Sequence, residues 1–452
     1  MESLLLQKKG AENRDKYDHI FIFIVDGLRL DFIKSIPDQK CGPSPYNCLT
    51  TVHSLMQSKP TQTMLYSFKA DTPTVTAQRL KGLTTGTLPT FIDIGSNLNS
   101  SALTEDNIIH QFATHRGAKN SSLLYVVGDD TWKAVFPTGF DDYTMFDSFN
   151  TMDLHTVDNG IMHKLQNFNL SEGNSWNLFI THFLGVDHIG HTFNAFHPLM
   201  AERLKLMDSL LLRTIEQLPE NTLLVFFGDH GMTDGGEHGG STDEEIFSGL
   251  FLYSTRPLLL SQDQESSPQQ QQEQRRRIFD RHQKTFQFMS TEEILFSPPE
   301  IFQIDFVPIF SFFADIPIPF SSLGMIPPEL FQSIQSDSSP SSSNILQKMS
   351  TNANQIWKYL NHYFLNGKEF FSVSSDLIAK DSRELTEIRE IIRNYSLPST
   401  MTLDADLKEL FQLYLKSIDL HVQYLMSPSI GSEERAIVGY FDFLSTTQQK
   451  MR

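Results

Sequence analysis

The chain has 452 residues, with 36 Lys and Arg against 54 Asp and Glu and a formal net charge of -18 at pH 7. A chain of this length buries a large core and reads as one big domain with an appendage. The acidic balance excludes a nucleic-acid partner, because a polyanion must be met by Lys and Arg.

The opening residues, MESLLLQKKGAENRDKY, hold three consecutive leucines where a signal peptide needs about 7–15 apolar residues. No continuous apolar run reaches about 18 residues, so no membrane span is expected in this sequence. Next, HIFIFIV leads to Asp26. Cys41 and Cys48 lie in a Gly/Pro-containing stretch, where they can pair in an oxidising lumen but do not by themselves assign a compartment. Residues 72–86, TPTVTAQRLKGLTTG, read as a Thr-rich loop entering a helix, and residues 104–116 have helical period. SLLYVVG leads to Asp129 within GDDTW, and NLFITHFLGV leads to Asp187 within DHIGH. A helix is expected over 198–218, with His197 as cap and Pro198 in the first turn. TLLVFFG leads to Asp229 within GDHGMT, followed by His238 in EHGG, and a strand is expected around 246–254. Sequons begin at Asn99, Asn120, Asn169 and Asn394, a pattern open to glycosylation and equally to chance.

Short continuous apolar strands alternating with helices predict an α/β fold with a mostly parallel sheet covered on both faces. In such sheets ligands bind beyond the carboxyl ends of the strands. The polar stretch 261–290 is expected to be an inserted loop, and the Ser-rich stretch 333–344 a linker. The division is thus 1–332 for the main domain and 345–452 for a helical C-terminal region. In that region Ile356, Leu360 and Tyr363, then Leu407, Phe411, Tyr414 and Ile418, share faces suited to packing on the main domain.

The chemistry gathers around those strand ends. Asp26, Asp187, His191, Asp229, His230 and His238 combine hard carboxylates with imidazoles, the ligand set of zinc or, less selectively, manganese. A catalytic pair of cations needs about three protein ligands each. Any one of these residues alone is better explained by a turn or a hydrogen bond; together they converge where the fold would put a site. A threonine in 72–86 would be the nucleophile, since coordination can stabilise its alkoxide without a histidine base. For Thr76 the competing reading is a helix N-cap.

The order Asp, Thr, Asp-x-x-x-His, Asp-His, His matches the alkaline phosphatase superfamily. The segments QRLKGLTTGTLPTFIDIGSN, GDDTWKAVFP and THFLGVDHIGH resemble the lumenal domain of the glycosylphosphatidylinositol (GPI) ethanolamine phosphate transferases, of the type acting on the third mannose. The likeness covers about residues 18–330. It implies an alkaline phosphatase-like three-layer sandwich plus C-terminal helices, and two zinc ions. Asp26, Thr76, Asp229 and His230 would surround one zinc, and Asp187, His191 and His238 the other. Thr76, ten positions before Gly86, would be the nucleophile, with Thr74 as runner-up. The resemblance further implies phosphatidylethanolamine as donor, a mannosylated GPI lipid as acceptor, a small membrane partner subunit, and the lumenal face of the endoplasmic reticulum membrane. Asp129, Asp130 and Trp132 are candidate substrate-pocket residues: the acids could receive the ethanolamine ammonium and the indole add cation–π attraction, although a Trp packed beneath the site fits equally well. A metal-dependent phosphodiesterase of the same superfamily would use the same seven residues with water as acceptor. A catalytically silent subunit would have no need of them.

Overall fold

The computed structural model describes residues 16–42, 44–89, 102–117, 123–173, 175–258, 291–327, 330, 342–364, 382–394, 405–426 and 430–451. Eight strands follow one another along the chain: β1 His19–Val25, β2 Thr63–Lys69, β3 Leu124–Asp129, β4 Asp142–Phe146, β5 Leu178–Phe183, β6 Thr222–Phe227, β7 Phe247–Ser254 and β8 Glu300–Phe302. They form one sheet in the order β4-β3-β5-β1-β6-β7-β2-β8. Only β7 opposes its neighbours, running antiparallel to β6 and β2; every other pairing is parallel. The runs in β1, β5 and β6 lack polar/apolar alternation because all their residues are buried, the condition of a strand covered on both sides. Stacked pairs such as Phe21 on Phe179 and Phe23 on Phe183 tie β1 to β5; each buried ring contributes roughly 1.5–3 kcal/mol by its area alone.

The helices used below are α1 Thr76–Thr85, α2 Ile108–Gly117, α3 Thr131–Val135, α4 Thr156–Asn167, α5 Gly185–Thr192, α6 Pro198–Gln217, α7 Phe306–Ala314, α8 Ser342–Phe364, α9 Ser382–Asn394, α10 Ala405–Met426 and α11 Ile430–Met451. Helices α1, α2, α3 and α7 pack in one layer, and α5 and α6 in another joined to α4 by the Asp158–Arg203 pair. The sandwich is the expected fold, with sheet between helix layers. The cap foreseen for α6 is present: the His197 side chain accepts from the Leu199 amide, with Pro198 in the first turn.

The C-terminal helices close over the α7 layer. Gln355 donates to the carbonyls of Phe320 and Ser322, and Gln448 to Asp305. Ile356, Leu360, Phe411, Tyr414 and Ile418 are buried, and Trp357 stacks on Tyr414. The side chains of Tyr363 and Leu407 lie outside the described residues, as do the 261–290 loop and residues 333–341. Helix α8 starts at Ser342, so the last three positions of the expected linker are helical. Among the described residues no helix is long and apolar enough to cross a membrane.

Candidate metal centre

Asp26 follows β1 directly, and Asp229 lies one glycine beyond β6, so both stand at the carboxyl edge of adjacent central strands. Asp187 departs from the strand-end expectation. Strand β5 stops at Phe183, and the chain turns through Leu184 into α5, placing Asp187 in a first helical turn. This geometry explains the D-x-x-x-H spacing, since residues four apart share a helix face; His191 Nε2 lies 3.4 Å from Asp187 Oδ2. The glycine between them is a packing requirement. A Cβ at Gly190 would sit 2.5 Å from Met232 Sδ, and one at Gly236, where φ is +92°, 2.0 Å from the Gly190 carbonyl.

Two groups of donors result. In one, Asp26, Asp229 and His230 bring ligand atoms within 4.8 Å of each other, and in the other Asp187, His191 and His238 do the same. They adjoin: the His230 and His238 rings stack with centroids 4.0 Å apart. Thr76 Oγ1 lies at the first group, donating to Asp26 Oδ2 at 3.2 Å and 3.5 Å from His230 Nε2. Thr76 is not an N-cap. Val75 holds that position, and Thr76 opens α1. Thr74, the other candidate, is fully buried, its hydroxyl accepting from the Gly239 amide at 2.8 Å and donating to the Gly240 carbonyl at 3.1 Å.

The donor set fits divalent cations. Asp26 Oδ1, Asp187 Oδ1 and Asp229 Oδ2 are buried oxygens without a hydrogen-bond partner, and such atoms are costly unless something binds them. The imidazoles are presented as ligands: His230 Nδ1 donates to the Gly231 carbonyl and His238 Nδ1 to the Thr74 carbonyl, so each turns Nε2 into the site. Burial, with His238 beside it, pushes His230 down to about 3, keeping the ring neutral with a lone pair to offer. Burial, reinforced by the neighbouring Asp26 carboxylate, raises Asp187 and Asp229 well above the usual range. Asp26 is the exception: burial works against it, but His230 and His182 together hold it well below an ordinary carboxylate. Three carboxylates this close are relieved by cations between them, and Asp/His donors suit zinc or manganese.

The GDDTW residues are placed differently from the expectation of an open ammonium pocket. Asp129 is 1% exposed and accepts from the Thr131 amide; Trp132 is 3% exposed, stacked against Phe136. Neither offers an open surface to a ligand. Asp130 is half-buried and accepts from the Ser148 hydroxyl. The indole N–H of Trp132 instead points at His182 Nδ1, 3.1 Å away. His182 is the residue that sequence reasoning passed over. A histidine inside an apolar strand was its only signal, yet with Asp26 and Asp129 it forms a third Asp/His group. Burial opposes its protonation, but the Asp26 and Asp129 carboxylates pull it up to about 9. An indole N–H can only donate, so its aim at Nδ1 calls for the lone pair of a neutral ring. A cation bound at Asp26 would weaken the carboxylate pull, and we take the neutral ring as the working state.

A family model described as type I phosphodiesterase / nucleotide pyrophosphatase matches residues 74–284. The chain is 38% identical over 357 residues to the mouse "GPI ethanolamine phosphate transferase 3, catalytic subunit", covering 77% of this chain and 29% of that protein. The human protein of the same description is 35% identical over 380 residues, 82% and 31% of the two chains. The "GPI ethanolamine phosphate transferase 2, catalytic subunit" from human is 36% identical over 246 residues, 53% of this chain and 23% of that one. The chain thus spans under a third of the length of the curated relatives it matches. With the strand-end Asp/His centre and this similarity together, the chain belongs to the alkaline phosphatase superfamily, as a relative of the GPI ethanolamine phosphate transferases.

Proposed function

We propose that this chain carries the catalytic domain of a phosphoethanolamine transferase of GPI-anchor synthesis. Phosphatidylethanolamine is the donor, Thr76 the nucleophile, and the 6-hydroxyl of the third mannose of a GPI precursor the acceptor. The observation that carries the reading is the place of Thr76 Oγ1, at the Asp26/Asp229/His230 group and next to the His230–His238 stack that joins the two groups. Asp26, Asp229 and His230 would hold one zinc and Asp187, His191 and His238 the other. When bound, the pair supplies Lewis acidity, favouring the threonine alkoxide and the charge on the departing oxygen. Asp26 Oδ2 accepts the Thr76 hydroxyl and aims it. Thr76 Oγ1 then attacks phosphorus in line, forming a Thr–O–P bond as the bond to the diacylglycerol oxygen breaks. In the second displacement the mannose hydroxyl attacks the same phosphorus and Thr76 regains its proton. The N-terminus of α1, which begins at Thr76, favours the phosphate charge throughout.

Cys41 and Cys48 form a disulfide, which supports an oxidising compartment such as the endoplasmic reticulum lumen. Asn169 of its sequon is exposed, as glycosylation there would need; Asn99, Asn120 and the Asn394 side chain lie outside the described residues. The second reading, hydrolysis of a phosphodiester with water as acceptor, is favoured by the phosphodiesterase match over 74–284. Mass spectrometry after incubation with phosphatidylethanolamine separates the two. A phosphoethanolamine increment on Thr76, lost in Thr76→Ala while zinc stays bound, is the expected result. A bare phosphate, or no adduct with turnover to free phosphoethanolamine, refutes transfer. An adduct on Thr74 refutes the choice of nucleophile.

A further inference from the structure

The third Asp/His group raises the question of what His182 does. It lies on β5, fully buried, between the metal-centre residue Asp26 and the pair Asp129 and Trp132. Its Nε2 is 3.4 Å from Asp26 Oδ2. Its Nδ1 is 3.1 Å from the Trp132 indole nitrogen and 3.7 Å from Asp129 Oδ2.

A cation at this third group is one reading, but the hydrogen count opposes it. The indole nitrogen has a proton to give and no lone pair, so Nδ1 must be the acceptor. The remaining proton of a neutral ring then sits on Nε2, which cannot coordinate a cation while it carries that proton. To free Nε2, the proton would have to move to Nδ1 and face the indole N–H head-on in a site without solvent. Trp132 cannot readily turn away, being stacked on Phe136 at 5.7 Å and set edge-on to Phe140 at 6.0 Å.

We infer that Trp132 and His182 form a buried positioning pair for the metal centre: the indole N–H holds His182 as the Nε2–H tautomer, and that N–H faces Asp26 Oδ2. The consequence is a division of labour within one carboxylate. Oδ2 is directed toward His182 Nε2 and the Thr76 hydroxyl, while Oδ1, 3.2 Å from His230 Nε2, is left for the cation. Neither Trp132 nor His182 touches substrate. GDDTW and THFLGVDHIGH, about fifty residues apart, are on this account two parts of one device. The inference rests on the two-metal reading above and adds to it which residues orient Asp26.

The test is zinc binding to the metal-stripped full chain, followed by competition with a chromophoric chelator. Wild type is expected to take two equivalents. In His182→Leu and Trp132→Phe the site containing Asp26 should weaken by about 10–100-fold, the usual effect of losing a residue that orients a metal ligand. The Asp187/His191/His238 site should stay within about twofold. Trp132→Phe keeps the aromatic stack, and its unfolding midpoint shows whether the fold is intact. His182→Gln, whose amide can accept from the indole and donate toward Asp26, should recover most of the lost affinity. Two zinc sites of wild-type affinity in the folded His182→Leu and Trp132→Phe variants would overturn the positioning role while leaving the metal centre standing. A third zinc equivalent in wild type, lost in His182→Leu, would overturn it in favour of a cation site. No zinc in wild type would sink the metal reading itself.

Discussion

Replacement of Arg203 by Met tests how the metal-bearing helix is held. Asp158 on α4 and Arg203 on α6 are 1% and 6% exposed and form a short ion pair. The second oxygen of Asp158 accepts from the amides of Leu184 and Gly185 at 3.0 and 3.1 Å, the first turn of α5. Leu184, the N-cap of α5, has no capping side chain, so a carboxylate from another helix does that work. Burial raises Asp158, and Arg203 opposes the rise. Arg203→Met keeps the apolar stem but strands a buried charge, and removing one partner of such a pair costs about 3–5 kcal/mol. The double variant Arg203→Met/Asp158→Asn should be more stable than the single, recovering roughly half the loss, because the amide oxygen still accepts both N–H groups without a net charge. Urea unfolding followed by circular dichroism, with midpoints compared at constant slope, measures both. The single variant should also hold zinc less well at Asp187 and His191. A single variant within about 1 kcal/mol of wild type, or a double variant less stable than the single, refutes the account.

Two other outcomes are expected. Thr74→Val removes the hydroxyl that joins the Gly239 amide to the Gly240 carbonyl; it should destabilise by about 1–3 kcal/mol and loosen zinc at His238, with Thr74→Ser restoring both. If the role is structural, the phosphoethanolamine adduct stays on Thr76 in zinc-saturated Thr74→Val; loss of that adduct would count against it. His421, buried between α10 and α11 with only the Tyr440 hydroxyl at Nδ1, is held down to about 4 by burial. The unfolded chain then binds the proton first. Stability from this group is full above about pH 6.5 and falls as pH drops toward 4, by at most about 3 kcal/mol. Urea midpoints of wild type and His421→Gln should therefore diverge between pH 7 and 4; parallel curves would contradict the assignment.

Much of this was legible beforehand because parallel strands announce themselves. The runs ending at Val25, Phe183 and Phe227 are continuous and apolar, and the acidic residues after them mark the binding edge. The edge strands β4 and β8 were not read: β4 is only half-buried along its length and β8 has three residues, so neither carries a strong pattern. Asp187 looked like a strand end because the apolar run continues through Leu184 and Val186, which are buried by the helix rather than by the sheet. His182 and Trp132 were harder. Their significance is a proton count between two side chains fifty positions apart, and no periodicity encodes that.

The strand order has a kinetic corollary. Asp26, Asp187 and Asp229 follow β1, β5 and β6, neighbours in space whose residues are some 150 to 200 positions distant in sequence. Only Asp187 and His191 form a local pair of donors, and two donors hold a cation weakly. The ion therefore has no template to bind until the long crossovers have closed and three strands lie side by side, a slow event for non-local contacts. Capture comes at the end of folding, as a latch on a finished sheet.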